Sequence, residues 1–302
     1  MRRAIMICKF QRTIKKEISI KGIGLHSGEP VTIKLIPAES YDGINFIRDN
    51  VLIPARVEYA NSFEFSTSLN KDGQTVRTVE HLMAALYFTG IDNIFISIDS
   101  EELPILDGSS IMFIERIKDA GIISLKEEKI YAVINDEITV SEGDKFIKGR
   151  PYNGFVATYQ ASYKNRIIGN RKYRYDSTVK DDFLNVAKAR TYCFLEEIEF
   201  LREKGLAKGG SLDNAVVFKG DTVLNPEGLR FEDEPVKHKV LDLIGDLYLL
   251  GMPLIGEIYS FKGGHRLNAS FVREMIGSSK FDVKYASEVI DSISDLKAGV
   301  SG

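Results

Sequence analysis

The stretch from Pro235 to Leu250 restricts the fold of this chain more than any other. Val240, Leu243, Ile244, Leu247 and Leu250 recur at helical spacing and stop before Gly251, which predicts a helix over 235–250 with an apolar stripe. Pro235 suits a first helical turn, and Glu232, Asp233 and Glu234 favour its positive end. Such a stripe has to lie against a core, so the chain around it must fold as a packed globular body. On another face His238, Asp242 and Asp246 follow i, i+4, i+8 spacing, a row in which neighbouring Cβ atoms lie roughly 6 Å apart.

Strands and helices alternate through the rest of the chain. Ile14, Ile18 and Ile20, then Gly22-Ile23-Gly24 as a turn, then Val31, Ile33 and Leu35 predict a hairpin. Thr78 as N-cap predicts a helix ending before Gly90; a strand is expected over 94–98, a loop over 103–108 and a second helix over 111–120 closed by Gly121. After a charged linker at 126–129, strands are expected near 131–140 and 154–163, helical segments at 181–190 and 195–204, and a basic surface loop over 164–176. The reading is two similar-sized α+β domains, 1–127 and 128–302.

Composition narrows the class. With 302 residues, 44% of them hydrophobic, there is ample sequence for a real core, and disorder as the main state is excluded. Lysine and arginine total 40 against 43 acidic residues, so the broad basic field of a nucleic-acid binder is missing. Cys8 and Cys193 are far apart, which rules out a disulfide framework or a thiolate zinc cluster and fits a reducing cytoplasm. Met1-Arg2-Arg3 is followed by only five apolar residues before Lys9, too short for a signal-peptide core. No uninterrupted apolar run reaches the ~18 residues of a membrane span, so any membrane contact would be peripheral.

Four histidines occur: His26, His81, His238 and His265. His238 and Asp242 on one helical face can ligate a single divalent metal. One nitrogen from His81 would complete three protein ligands and leave a fourth position for water, the open arrangement of a hydrolytic zinc site. Glu80, adjacent to His81, is the candidate base. On spacing alone an H-x-x-x-D pair is more often a solvent-facing polar pair, and nothing in the spacing brings position 81 to position 238.

Seven segments occur in one order: Gly22-Ile-Gly-Leu-His-Ser-Gly28, Thr78-Val-Glu-His-Leu82, Leu103-Pro-Ile-Leu-Asp-Gly-Ser109, Ala189-Arg-Thr191, Gly228-Leu-Arg-Phe-Glu-Asp-Glu234, His238-Lys-Val-Leu-Asp242 and Gly264-His265. Through them the chain resembles the UDP-3-O-acyl-N-acetylglucosamine deacetylases, zinc amidases of lipid A biosynthesis, from about Gln11 to Asn268. The resemblance implies two similar domains, each a β-sheet packed against helices, with the active site between the two helical layers. It implies zinc on His81, His238 and Asp242, with Glu80 as base. His265, partnered by Asp246, would be general acid or oxyanion-stabilising cation. Thr191 would donate its hydroxyl to the oxyanion. Tyr192-Cys193 departs from the Phe-Gly usual in the family.

For the UDP-linked, acylated amino sugar, the resemblance points Lys239 and Lys262 at the nucleotide phosphates and Phe155 at the nucleoside. Leu195, Ile198, Leu201 and Val217 fall in an acyl-passage insert near 195–218. An acyl chain of about ten carbons buried there would supply about 8 kcal/mol gross. His26 is expected to make a structural hydrogen bond or to stand near the site, and Asp107 to support it from outside. Imidazole and carboxylate ligands suit Fe2+ as well as Zn2+. The competing reading is an inactive nucleotide-sugar or acyl-lipid binding protein on the same scaffold; acyl length, 3-linkage and oligomeric state are not legible.

Overall fold

The computed structural model describes residues 7–298, so Met1-Arg2-Arg3 and most of the apolar run behind it lie outside the described residues. The expected α+β architecture, sheets packed against helices, is what the structure shows. Helices are α1 (Glu80–Thr89), α2 (Ile111–Asp119), α3 (Asp182–Ala187), α4 (Leu195–Glu203), α5 (Glu234–Leu247), α6 (His265–Gly277) and α7 (Ala286–Ala298).

The first half builds a five-stranded sheet in the order Ile18–Ile23, Pro30–Pro37, Ile94–Ile98, Ile44–Arg48, Val51–Pro54. Its first two strands form the expected hairpin, with Ile20 opposite Ile33 and the alternating Val31, Ile33 and Leu35 buried. The reversal, however, falls after Gly24, where Gly28 N–H donates to the Gly24 carbonyl, and not at 22–24. Gly22 stays in the strand because Pro104 crosses it: a Cβ there would lie 2.8 Å from that of Pro104.

The second half builds a larger sheet, Ile138–Glu142, Lys145–Arg150, Leu254–Phe261, Ile130–Ile134, Phe281–Tyr285, with Phe155–Gln160 also on Leu254–Phe261 and Lys172–Asp176 beyond it. The stretch expected as one strand over 131–140 splits at a turn, and the Lys145–Arg150 strand was not anticipated. The last five residues of the expected 164–176 loop are strand, since Tyr173 and Tyr175 turn inward while Lys172 and Arg174 stay exposed. The charged 126–129 stretch is no free linker either. Ile122–Glu128 pairs antiparallel with Phe10–Ile14, and the Lys129 ammonium is buried against Asp92 at 3.0 Å.

Between the two sheets the helices meet. α1 packs along α5, with α2 beside α1 and α6 beside α5. α5 is buried along nearly its whole length, its polar row included. A mid-helix glycine costs about 1 kcal/mol relative to alanine. Gly245 is required nonetheless, because a Cβ there would lie 2.1 Å from the Glu80 carbonyl oxygen. The start of α1 therefore rests directly on the α5 backbone.

The short strands Tyr192–Phe194, Val216–Lys219 and Thr222–Val223 form a separate sheet beside α4. The N–H groups of Lys208 and Gly209 donate to the carbonyls of His26 and Leu25, which seats this insert on the turn of the first hairpin.

Candidate active site

α1 and α5 bring the side chains of His81, His238 and Asp242 together. One donor atom from each lies within 4.8 Å of the others. Asp242 Oδ1 is 3.3 Å from His238 Nε2 and 3.6 Å from His81 Nε2, and the two rings stand edge to face at 4.9 Å between centroids. All three residues are at most 4% exposed, so the solvent-facing reading of the His238 and Asp242 pair does not hold.

The donor set fits a divalent cation. His238 Nδ1 lies 3.0 Å from the Ala189 carbonyl, which can only accept, so the ring proton sits on Nδ1 and Nε2 presents a lone pair. Burial drives His238 down to about 3 against the pull of Asp242, so a second proton is not available. A bare nitrogen then faces Asp242 Oδ1, itself buried without a hydrogen-bond partner. Lone pair against lone pair is tolerated around a cation. Tetrahedral zinc–nitrogen bonds near 2.0–2.1 Å would place donors roughly 3.3 Å apart, close to the 3.3 Å and 3.6 Å between Asp242 Oδ1 and the two imidazole nitrogens.

Glu80 stands beside His81 with its Oε2 accepting the Thr67 N–H at 3.0 Å. Thr78 does not cap α1. It sits at φ 59°, a strained setting for a β-branched residue, and its hydroxyl donates to Glu102 at 3.1 Å instead. Burial raises the Glu80 carboxyl above the ordinary range, and the nearby His265 and His81 moderate that rise. Opposite it, His265 Nδ1 donates to Asp246 Oδ2 at 2.8 Å. Burial opposes charge on this ring, but the Asp246 carboxylate outweighs it and lifts His265 to about 9. Asp246 is fixed in turn by the Thr67 hydroxyl at 2.6 Å and the Asn268 amide at 2.9 Å.

Glu80, His81, His238, Asp242 and His265 line a cavity of about 390 Å³, and Thr191 lines it too. Leu195, Ile198, Leu201 and Val217 line the same cavity, so the insert adds apolar side chains to a lining that holds these polar groups. Lys239 lines the cavity and donates to Asp242 Oδ2 at 2.9 Å. Lys262 stands outside the lining and pairs with Asp144 at 2.6 Å. Phe155 is a correction: it is 3% exposed and packs on Tyr87 and Tyr175 within the core, because its strand runs beneath α5 and not toward the cavity. His26 lines the cavity with both ring nitrogens unpartnered, and its structural bonds run through its backbone, the N–H donating to Glu102 and the carbonyl accepting from Lys208. Asp107 lies outside, paired with Arg230 at 2.9 Å. Cys193 is in the cavity wall, and burial pushes its thiol up to about 11.

Residues 11–277 match the family described as UDP-3-O-acyl N-acetylglycosamine deacetylase. The chain belongs to that deacetylase family. Relatives named UDP-3-O-acyl-N-acetylglucosamine deacetylase include that of Saccharophagus degradans, 45% identical over 276 residues, which covers 88% of this chain and 90% of the relative. That of a Nitratiruptor species is 44% identical over 260 residues, covering 85% and 87%. That of Aquifex aeolicus is 42% identical over 270 residues, covering 89% and 94%.

In this member of the deacetylase family several supporting residues escaped the sequence reading. Asn268, three residues after His265 on α6, shares its helical face and could have been found from that spacing. Thr67 and Glu102 carry no such signal. Glu102, 1% exposed, accepts from the N–H groups of His26 and Ser27 and from the Thr78 hydroxyl, binding the hairpin turn to the start of α1.

Proposed function

We propose that this chain is a zinc-dependent amidohydrolase acting in the cytoplasm on UDP-3-O-acyl-N-acetylglucosamine, releasing acetate and UDP-3-O-acyl-glucosamine in lipid A biosynthesis. The observation that carries the reading is the buried His81, His238 and Asp242 donor set beside Glu80 in the lining of a cavity that also holds apolar side chains of the insert. When bound, zinc supplies Lewis-acid polarisation of the amide carbonyl and makes water a nucleophile near neutral pH. Glu80, made more basic by burial, takes the proton of the attacking water. His265, held as a cation by Asp246, and the Thr191 hydroxyl face the oxyanion that develops. Breaking the carbon–nitrogen bond then needs a proton on nitrogen and frees acetate.

The acyl chain belongs against Leu195, Ile198, Leu201 and Val217, and the diphosphate near Lys239, with Lys262 at the turn before His265. We assign the two sheet-and-helix units to domains 1–127 and 128–302. Fe2+ would fit the same donors.

Acetate release and metal content measured together test this. His238→Ala should lose both metal and turnover. Glu80→Ala should keep the metal and lose rate by about 100-fold or more. Full turnover by a metal-stripped preparation would overturn the reading, and substrate binding without acetate release at stoichiometric zinc would leave an inactive binding protein.

A further inference from the structure

Two of the sequence segments, Ala189-Arg-Thr191 and Gly228-Leu-Arg-Phe-Glu-Asp-Glu234, supply only Thr191 to the proposed chemistry. The structure ties them together beneath His238. Residues 187–191 are held at every position: the Ala187 carbonyl accepts the Ser110 N–H at 3.1 Å, and the Lys188 carbonyl accepts Arg230 Nη1 at 2.9 Å. The Ala189 carbonyl meets His238 Nδ1 at 3.0 Å, Arg190 N–H donates to Glu234 Oε1 at 3.0 Å, and Thr191 N–H donates to the Gly108 carbonyl at 2.8 Å. Ser110 also donates its hydroxyl to the His81 carbonyl at 2.8 Å, so the frame reaches both histidines.

Its hub is a buried ion pair. The Arg190 side chain is 2% exposed and that of Glu234 is 0%. Arg190 Nε donates to Glu234 Oε1 at 2.9 Å, Nη2 to Oε2 at 3.2 Å and to the Gly228 carbonyl at 2.7 Å, while Nη1 pairs with Glu227. Glu234 Oε2 accepts a further bond, from the Arg230 N–H at 2.6 Å. Glu234 precedes His238 by one turn of α5, so the pair ties the Ala189 carbonyl to the very helix whose imidazole it meets. Burying two charges is a poor source of stability, because their desolvation cancels most of their attraction. What a planar, bidentate fork does supply is fixed geometry.

We propose that Arg190 and Glu234 are positioning residues for the metal centre: their buried fork fixes the Ala189 carbonyl, which holds His238 as the Nδ1–H tautomer with Nε2 turned toward His81 and Asp242. The role in metal binding rests on the reading of those three residues as a metal site; the tautomer does not. An outer partner of this kind orients a ligand and sets its basicity, and losing it weakens metal binding by about 10- to 100-fold.

Arg190→Lys keeps the charge and removes the fork; Glu234→Gln keeps the shape and removes the charge. Phe271→Leu, in the core and away from the cavity, serves as a stability control. Nitrogen NMR of labelled histidine in the full-length, metal-free protein reads the tautomer, and competition with a chelator reads zinc affinity. The Nδ1–H signature of His238 should be single in the parent and in Phe271→Leu and mixed in both fork variants, which should also bind zinc about 10- to 100-fold more weakly. Each fork variant tests the proposal alone if the other does not fold. An unchanged Nδ1–H signature in a folded variant would overturn it, as would an equal loss of zinc affinity in Phe271→Leu. Failure of the parent to bind zinc would remove the metal reading and leave the tautomer result to decide on the fork.

Discussion

His265 shows how one neighbour sets the state of a residue. It opens α6, where the positive end of the helix disfavours an imidazolium by about 0.3–1 kcal/mol. The Asp246 carboxylate at 2.8 Å makes a charge-assisted bond that outweighs both the dipole and burial. Because the pKa is raised, the cation is present below about 9 and is lost as the pH climbs through that value. If the cation is the active form, Asp246→Asn moves the alkaline limb of kcat/KM to lower pH; a limb that stays in place would separate His265 from the reaction. At this scale the i, i+4, i+8 row on α5 was legible because helical geometry fixes it. The Thr67 and Asn268 bonds to Asp246 were not, since they come from other parts of the chain.

Among elements, α5 was the most legible, its predicted 235–250 span matching Glu234–Leu247 plus a closing turn through Leu250. Periodicity is strongest where a helix has a broad apolar face. The Lys172–Asp176 strand was missed because its alternation is carried by two tyrosines among basic residues. Neither pattern reveals the contact between α1 and α5, which depends on a single missing side chain. Gly245→Ala raises intrinsic helix propensity by about 1 kcal/mol. It also sets a methyl 2.1 Å from the Glu80 carbonyl oxygen and forces the helices apart. The expected outcome is a lower melting temperature, weaker zinc binding and, for a displacement near 1 Å, about 100-fold slower acetate release. Activity at the parent level would show that this close approach is dispensable.

For the whole molecule, the donor set joins residues 81 and 238, carried on helices from opposite halves of the chain. A cation held there binds only the folded state, so zinc at a thousandfold excess over Kd should stabilise the protein by about 4 kcal/mol. Thermal melts with and without zinc check this. The rise in Tm should vanish in His238→Ala, and a rise that persists would place the binding elsewhere. By itself the amino-acid sequence determined the α5 helix with its polar row, most of the other helices, a minority of the strands, the lack of a basic field and the family resemblance. Those depend on periodicity, composition and local spacing, which a linear chain carries openly. Only tertiary structure decided that His81 meets His238 and Asp242, that Phe155 belongs to the core, and that Arg190 and Glu234 underpin the Ala189 carbonyl. Each of these requires groups far apart in sequence to be packed within ångströms of one another, and no local pattern encodes such a distance.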